Sequence, residues 1–397
     1  VLSVVIWSFS RSAEAQSVVI IDVLSQSGGI LEEMPSFSSS ILSYQRCTSF
    51  NMERQALLKM NVIGTGANQI PLGSTVSSAS LRLRASMGGD GLLYRAAEPW
   101  DSTPTWNEVG DVATIGPSIG VGLNMNQSQE FDVTSHVQAW ANGTTNQGWV
   151  IKGFLDDCMA AQIYGGTSAS NNRPRLTVVY TPPDTTPPTV DVVMLGSTLS
   201  THADYIVPSG SGEQLRTVPV ARINRIYVMF SENVTNVNSG AFSLVSSNTG
   251  TSYSLATNGV SYSPSTFIAT FTLANSIVNP DQLVLTIKGT VEDLAGNELD
   301  GEWANPTSLA STGSDTFPSG NGSPGPAGGF QFYVSVLPGD YNRNNATDAA
   351  DYTVWRDHEG IETGAGQADG DGDGDGDVDS DDYQIWTSQF GVDFSTW

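Results

Sequence analysis

The feature that most restricts this chain is a repeat in its last 60 residues. Asp340, Asp348, Asp351, Tyr352 and Trp355 recur 31 residues later as Asp371, Asp379, Asp382, Tyr383 and Trp386. Identities at one fixed offset mark a duplicated structural unit. Each copy opens with a twelve-residue polar loop. The second reads DGDGDGDVDSDD, with carboxylates at loop positions 1, 3, 5, 9 and 12 and Gly376 at position 6. That spacing wraps alternate side chains around one point, as a hard cation with six to eight oxygen ligands requires. Its ligand set is Asp371, Asp373, Asp375, the backbone carbonyl of Asp377, Asp379 and Asp382. Val378 at position 8 is expected to face the core, and Asp379 to cap the helix that follows.

The first loop, DYNRNNATDAAD, supplies Asp340, Asn342, Asn344, the carbonyl of Ala346, Asp348 and Asp351. It departs at position 6, where Asn345 replaces glycine, and at position 8, where Thr347 replaces the apolar residue. Asparagine tolerates left-handed backbone, so the first change is mild. With three carboxylates in place of five, this loop is expected to hold calcium more weakly than the second. Tyr352 and Trp355, then Tyr383, Trp386 and Phe390, fall at helical spacings that place them on one face, where the two halves can pack. So small a module has little core of its own, and two calcium ions are expected to contribute to its folding.

Charge separates this segment from the rest. Residues 338–397 carry 15 acids against 2 bases, so −13 of the chain's net −25 at pH 7 sits there. Nucleic acid and anionic membrane surfaces are poor partners for such a chain.

Upstream, the fold is expected to be mainly β. Abundant Gly, Pro, Ser, Thr and Asn favour short strands joined by turns. In residues 16–181 the runs ALLKMNV, SASLRLRAS, GLLYRAAE, QGWVIKGF and RPRLTVVYT read as strands of a β-sandwich or jelly roll. Leu81-Arg82-Leu83-Arg84 shows the period of two of a half-buried strand. Val133 to Trp140 reads as a helical turn capped by Thr134 or Ser135, with Val137 and Trp140 on one face. The proline-rich TPPDTTPPT (181–189) reads as a semi-stiff linker. Residues 182–337 then hold a second strand set, RIYVMF, AFSLVS, FIATFTL and QLVLTIKGTV, with FQFYVSV as its closing strand.

The front of the chain points outward. VLSVVIWSF precedes Ala13-Glu14-Ala15, an A-x-A-type processing site, so residues 1–15 read as the tail of a secretory signal or, alternatively, as a first strand. The apolar run is too short to span a bilayer. Cys47 and Cys158 read either as one disulfide of an oxidising compartment or as two buried thiols. Secretion to the cell surface or beyond is the expected localisation.

No cluster reads as catalytic. His136, His202 and His358 lie in different regions, and no G-x-S-x-G surrounds a serine. Asp101 with Glu108, and Asp156 with Asp157, read as solvated loop charges. A sugar site offers an aromatic face flanked by polar groups. The candidates are Trp100, Trp106, Tyr94, Trp149 and Tyr164, with Glu108, Asp101 and Arg95 as polar partners. Trp140 and Trp149, inside alternating apolar runs, read as core.

Residues 338–397 resemble a type I dockerin over their whole length, through the duplicated loops and helices quoted above. The resemblance implies calcium-dependent attachment to a cohesin-like protein. In that family, loop positions 10 and 11 help select the partner; here they are Ala349-Ala350 and Ser380-Asp381. Most of residues 20–181 is similar to the DNRLRE family, a secreted β-sandwich linked with carbohydrate binding. The matching pieces are ALLKMNV, SASLRLR, Thr103-Pro104-Thr105-Trp106-Asn107-Glu108, FDVTSHVQAWANGTTNQGW and Asn172-Arg173-Pro174-Arg175-Leu176. Residues 182–337 resemble bacterial Ig-like domains through TTPPTV, RIYVMFSENV and VEDLAGNELDG. The three-part layout is similar to secreted proteins of planctomycete-type bacteria. These resemblances imply a non-catalytic polysaccharide-binding protein with a docking tail. The competing expectations are a structural or adhesive surface protein and a component of a polysaccharide-degrading enzyme.

Overall fold

A computed structural model of the chain describes residues 17–22, 27–31, 41–47, 52–65, 69–99, 113–153, 160–165, 168–197, 205–308, 313–323 and 329–394. These residues are mainly β, arranged in several sheets, with three α-helices among them. None of those helices is long and apolar enough to cross a membrane. The chain divides into two compact units, residues 7–183 and 184–397, with the boundary inside the proline-rich segment. Residues 1–15, Trp100, Asp101, Trp106, Glu108 and Cys158 lie outside the described residues, so the signal and disulfide expectations do too; Cys47 ends the strand Ile41–Cys47.

The first unit is one antiparallel hydrogen-bonded sheet around one core. Its centrepiece is the 13-residue strand Thr75–Met87, which pairs with Arg175–Thr181, Ser128–Asp132 and Ala161–Tyr164. Along it Ala79, Leu81, Leu83 and Ala85 are buried while Ser80, Arg82 and Arg84 alternate outward. The period of two in the sequence thus becomes one wet and one dry face. Trp149, on strand Trp149–Gly153, meets Trp140 edge-on with ring centroids 4.6 Å apart.

Trp140 lies on helix α1 (Thr134–Ala141), where His136, Val137, Trp140 and Ala141 are buried. The expected side-chain cap is absent: the N-cap is Val133, with no side-chain capping bond. The Thr134 hydroxyl instead accepts the Ala79 N–H and donates to Asp132 Oδ1, tying the helix start to the sheet. A cross-strand partner outcompetes the local cap because the strand leaves that amide open.

The second unit contains a five-stranded sheet in the order Tyr205–Ile206, Val190–Gly196, Ile223–Phe230, Ile268–Ile277, Leu255–Ser263. A three-stranded sheet runs Phe242–Ser246, Asp281–Ile287, Phe330–Val336. One apolar core draws on both, and Phe242 of one stacks on Phe271 of the other at 4.3 Å. FQFYVSV pairs with Asp281–Ile287 along its full length. The Gly/Ser/Pro-rich stretch before it also feeds the core: Trp303 packs on Phe317, Phe330 and Phe332 at 4.7–5.6 Å.

His136 supplies a test of the first core. Its ring is buried, Nδ1 accepts the Trp149 indole N–H at 3.1 Å, and Nε2 donates to the Pro117 carbonyl at 3.0 Å. Burial pushes its pKa below the ordinary value, and the nearby Arg95 charge adds to this. The unfolded chain therefore takes up this proton first as pH falls, so the contribution is complete above about pH 6.5 and is lost below it. Thermal melts followed by tryptophan near-ultraviolet signal are expected to lose stability from pH 7 to 5. The His136→Gln variant is expected to lose less.

Candidate metal centre

Residues 338–394 fold as two loop-helix copies that share most of their hydrogen bonds at the 31-residue offset. Helix α2 (Ala349–His358) follows the first loop and α3 (Ser380–Gln389) the second. Both carry a capping box: Asp348 and Asp379 are the N-caps, and Asp351 and Asp382 reach back to the cap amides. An N-cap aspartate satisfies amides that the first helical turn leaves open. Asp379 thus takes the capping role its position implies.

Within each loop, the carboxylate at position 1 accepts the N–H of position 6. These are Asn345 N to Asp340 Oδ2 at 2.9 Å and Gly376 N to Asp371 Oδ2 at 3.0 Å. Position 12 accepts from positions 3 and 9: Asn342 and Asp348 to Asp351, and Asp373 and Asp379 to Asp382, at 2.8–3.3 Å. Both ends of each loop are thereby pulled toward one centre. Position 6 is left-handed in both, with φ 72° at Asn345 and 91° at Gly376, so asparagine does here what glycine does in the other copy.

The two copies also hold each other. Position 8 of each loop makes two backbone hydrogen bonds just beyond the helix of the other copy: Val378 with Gly360 and Ile361, Thr347 with Gly391 and Val392, all 2.8–2.9 Å. Each tryptophan indole donates to the position-9 carbonyl of the other copy, Trp355 to Asp379 at 2.7 Å and Trp386 to Asp348 at 2.8 Å. Tyr352, Trp355, Tyr383, Trp386 and Phe390 form a chain of ring contacts at 4.9–6.2 Å between the helices.

Two further matched pairs carry the same offset. Gly339 and Gly370 precede the loops with φ of 85° and 100°, and a Cβ on either would lie 2.9–3.0 Å from the Trp386 or Trp355 Cα. Gly360 and Gly391 end the helices at φ 92° and 90°. Both pairs stand in the sequence and were open to the same alignment of repeats.

Electrostatically the loops are under tension. Asp340, Asp351, Asp371 and Asp382 are at most 1 % exposed, although each sits in a strongly acidic segment. Burial is the main cause that pushes Asp340 and Asp382 up to about 6; neighbouring carboxylates add to it, and loop amides oppose it. Asp351 and Asp373 are shifted upward for the same leading reason. Asp371, Asp373 and Asp375 bring carboxylate oxygens within 4.8 Å of one another, and so do Asp377, Asp379 and Asp382. Such groups are able to hold a metal ion. The first loop forms no three-carboxylate group of this kind among the described residues; its remaining oxygens are amides and a carbonyl. Ala349, Ala350, Ser380 and Asp381 are all exposed on the first turns of the helices.

A third acidic group lies outside the repeat. Asp184, Glu232 and Asp293 converge in the second unit, with Asp293 buried. Asp293 accepts the Ala295 and Asn297 N–H groups and the Asn297 amide, so its oxygens already have partners.

Of the sugar-site candidates in the described residues, Trp149 is fully buried and Tyr164 is half-buried. Tyr94 is half-buried and Arg95 is buried, as neighbours on the strand Gly89–Ala96. Adjacent strand residues point to opposite faces, so Tyr94 and Arg95 do not line one surface.

No family model matches the chain, and no curated protein does. Among solved structures the chain is similar to the N-terminal part of the bacterial S-layer protein SbsC, at 21 % identity and a TM-score of 0.18. The match covers 22 % of this chain and 23 % of that one, and a likeness at that score carries no argument.

Replacing Gly370 by alanine puts a Cβ against the Trp355 backbone and forces a left-handed alanine. The expected cost to the repeat is about 1–3 kcal/mol, read as a lower midpoint in Trp fluorescence melts of the full chain.

Proposed function

We propose that residues 338–397 are a calcium module of two loop-helix repeats, resembling a dockerin, in a secreted, non-catalytic protein. In this reading residues 16–181 form a jelly-roll-like β-sandwich and residues 182–337 an Ig-like β-sandwich. The observation that carries the proposal is the repeated loop closure, in which buried acids at positions 1 and 12 draw each loop around one point. Oxygen donors, dense negative charge and a flexible loop fit calcium better than the smaller magnesium, which demands near-ideal octahedral geometry. Asp371, Asp373, Asp375 and Asp382, with the Asp377 carbonyl and Asp379, would hold one ion. Asp340, Asn342, Asn344 and Asp351, with the Ala346 carbonyl and Asp348, would hold the other. A bound ion supplies the positive charge that lets these carboxylates stay ionised together.

Attachment to a cohesin-like protein follows from the dockerin resemblance and is supported by the exposure of Ala349, Ala350, Ser380 and Asp381. Polysaccharide binding by the first sandwich follows from the DNRLRE resemblance, with Trp100 and Trp106 as the aromatic platform. The structural-spacer reading gains from the burial of Trp149 and Arg95, which removes two of the sugar candidates from the surface.

Calcium titration calorimetry of the full chain is expected to show two sites of unequal affinity. Asp382→Ala should abolish the tighter one and Asp351→Ala the weaker. Chelation should lower the midpoint of the Trp355 and Trp386 fluorescence transition. A flat titration with unchanged melts would refute the calcium reading. A second measurement addresses the sandwich: the full chain is screened on plant, algal and bacterial polysaccharides, with released sugar scored in the same wells. Retention without product is expected, and Trp106→Ala should abolish it; no retention on any of them would leave the spacer reading.

A further inference from the structure

The first acidic loop is bound on its outer side by a segment of its own chain more than 100 residues earlier. Thr217 is fully buried, and all three of its polar groups go to that loop. Its N–H donates to Asn345 Oδ1 at 3.1 Å, its carbonyl accepts the Arg343 Nε–H at 3.1 Å, and its hydroxyl donates to Asp340 Oδ2. Asn345 also donates from Nδ2 to the Leu215 carbonyl at 3.1 Å. Its side-chain amide therefore bridges Leu215 and Thr217 as a neighbouring strand would. The second loop touches the same segment more lightly: Ala221 N–H donates to Gly372 O at 3.1 Å, and Arg222 lies 3.7 Å from Asp373. On its other side the segment is sewn to the sheet strand Phe330–Val336 and its end, through Val218 N–H to Ser335 O and Leu337 N–H to Val218 O. Position 6 of the second loop is glycine, which has no side chain to make such a bridge.

From this we infer that Thr217 and Asn345 are positioning residues for the first cation site. Thr217 orients the position-1 ligand Asp340 from outside the loop, and Asn345 clasps the loop to the sheets of residues 184–337. Cation binding at the first loop then orders the segment 214–222 as well. The inference rests on the calcium reading above. The physical basis is that a ligand carboxylate has a second oxygen to orient, and an outer hydrogen bond that holds it raises metal affinity. The substitution of asparagine for glycine at position 6 is thus the clasp itself, rather than a mere loss of loop geometry.

The test uses the full chain, calcium calorimetry, and hydrogen exchange of peptides spanning residues 214–222. Thr217→Val keeps the backbone bonds and removes only the hydroxyl. It is expected to weaken the first site roughly tenfold and leave the second unchanged, while Thr217→Ser restores wild-type affinity. Asn345→Gly keeps an allowed left-handed residue, so the loop still forms. With calcium present it is expected to speed exchange in 214–222 to the rate seen for wild type in chelator. Two calcium sites unaltered by Thr217→Val, or exchange in 214–222 that neither chelator nor Asn345→Gly changes, would overturn the inference and leave the calcium reading standing. Absence of any calcium heat would overturn both and is recognised by the flat titration alone.

Discussion

Carboxylates that are buried and close together dominate the C-terminal repeat of this chain. An isolated buried carboxylate is costly, because water no longer solvates its charge. Asp340, Asp351, Asp371 and Asp382 meet that cost by accepting backbone N–H groups from their own loops. Those bonds close each loop on its first and last residues. They also leave the backbone of positions 4 and 6 in left-handed geometry, at Arg343, Gly374, Asn345 and Gly376. Repulsion between the acids remains, and the carboxylate groups gathered in the second loop could hold a metal ion. The helices, their caps and the aromatic seam all take their positions from the loops that precede them.

The two copies share this plan and differ where the surroundings differ. Val378 fills an apolar position with no exposure, whereas Thr347 occupies the equivalent place with its hydroxyl buried and without a hydrogen-bond partner. An unmet buried hydroxyl costs about 1–3 kcal/mol, so the first copy is the less stable on its own terms. Tyr341 uses the space that the second copy leaves at Gly372: a Cβ on that glycine would lie 2.5 Å from the Tyr341 hydroxyl. The hydroxyl donates to the Asp382 carbonyl, which is the end of the opposite loop. The first copy therefore lends an aromatic support to the second and takes its own support from Leu215 and Thr217. Neither copy is a free-standing unit.

Much of the fold is legible in the chain because strands and loop-helix repeats announce themselves locally. Leu81 to Arg84 alternate in burial as their pattern requires, FQFYVSV is a strand, and Val137 and Trp140 share the buried face of a short helix. The expected cap of that helix does not form because Thr134 has a long-range alternative, the open amide of Ala79, which no local window contains. Trp303, in a Gly/Ser/Pro-rich stretch with no strand pattern, nevertheless joins Phe317, Phe330 and Phe332, since such a stretch can still carry one aromatic into a core.

By itself the sequence determined the duplication, the ligand-type oxygens at alternate loop positions, the caps at Asp348 and Asp379, and the mainly β character upstream. All of these follow from residues near one another in the chain, where spacing alone sets geometry. Only the tertiary structure decided what holds the loops from outside. The bridge from Asn345 to Leu215 and Thr217 and the indole bonds between copies depend on which surfaces meet. The physical reason is that a hydrogen bond spanning more than 100 residues leaves no periodic trace in either partner segment; Thr217 looks like any strand-edge threonine until Asp340 is folded against it.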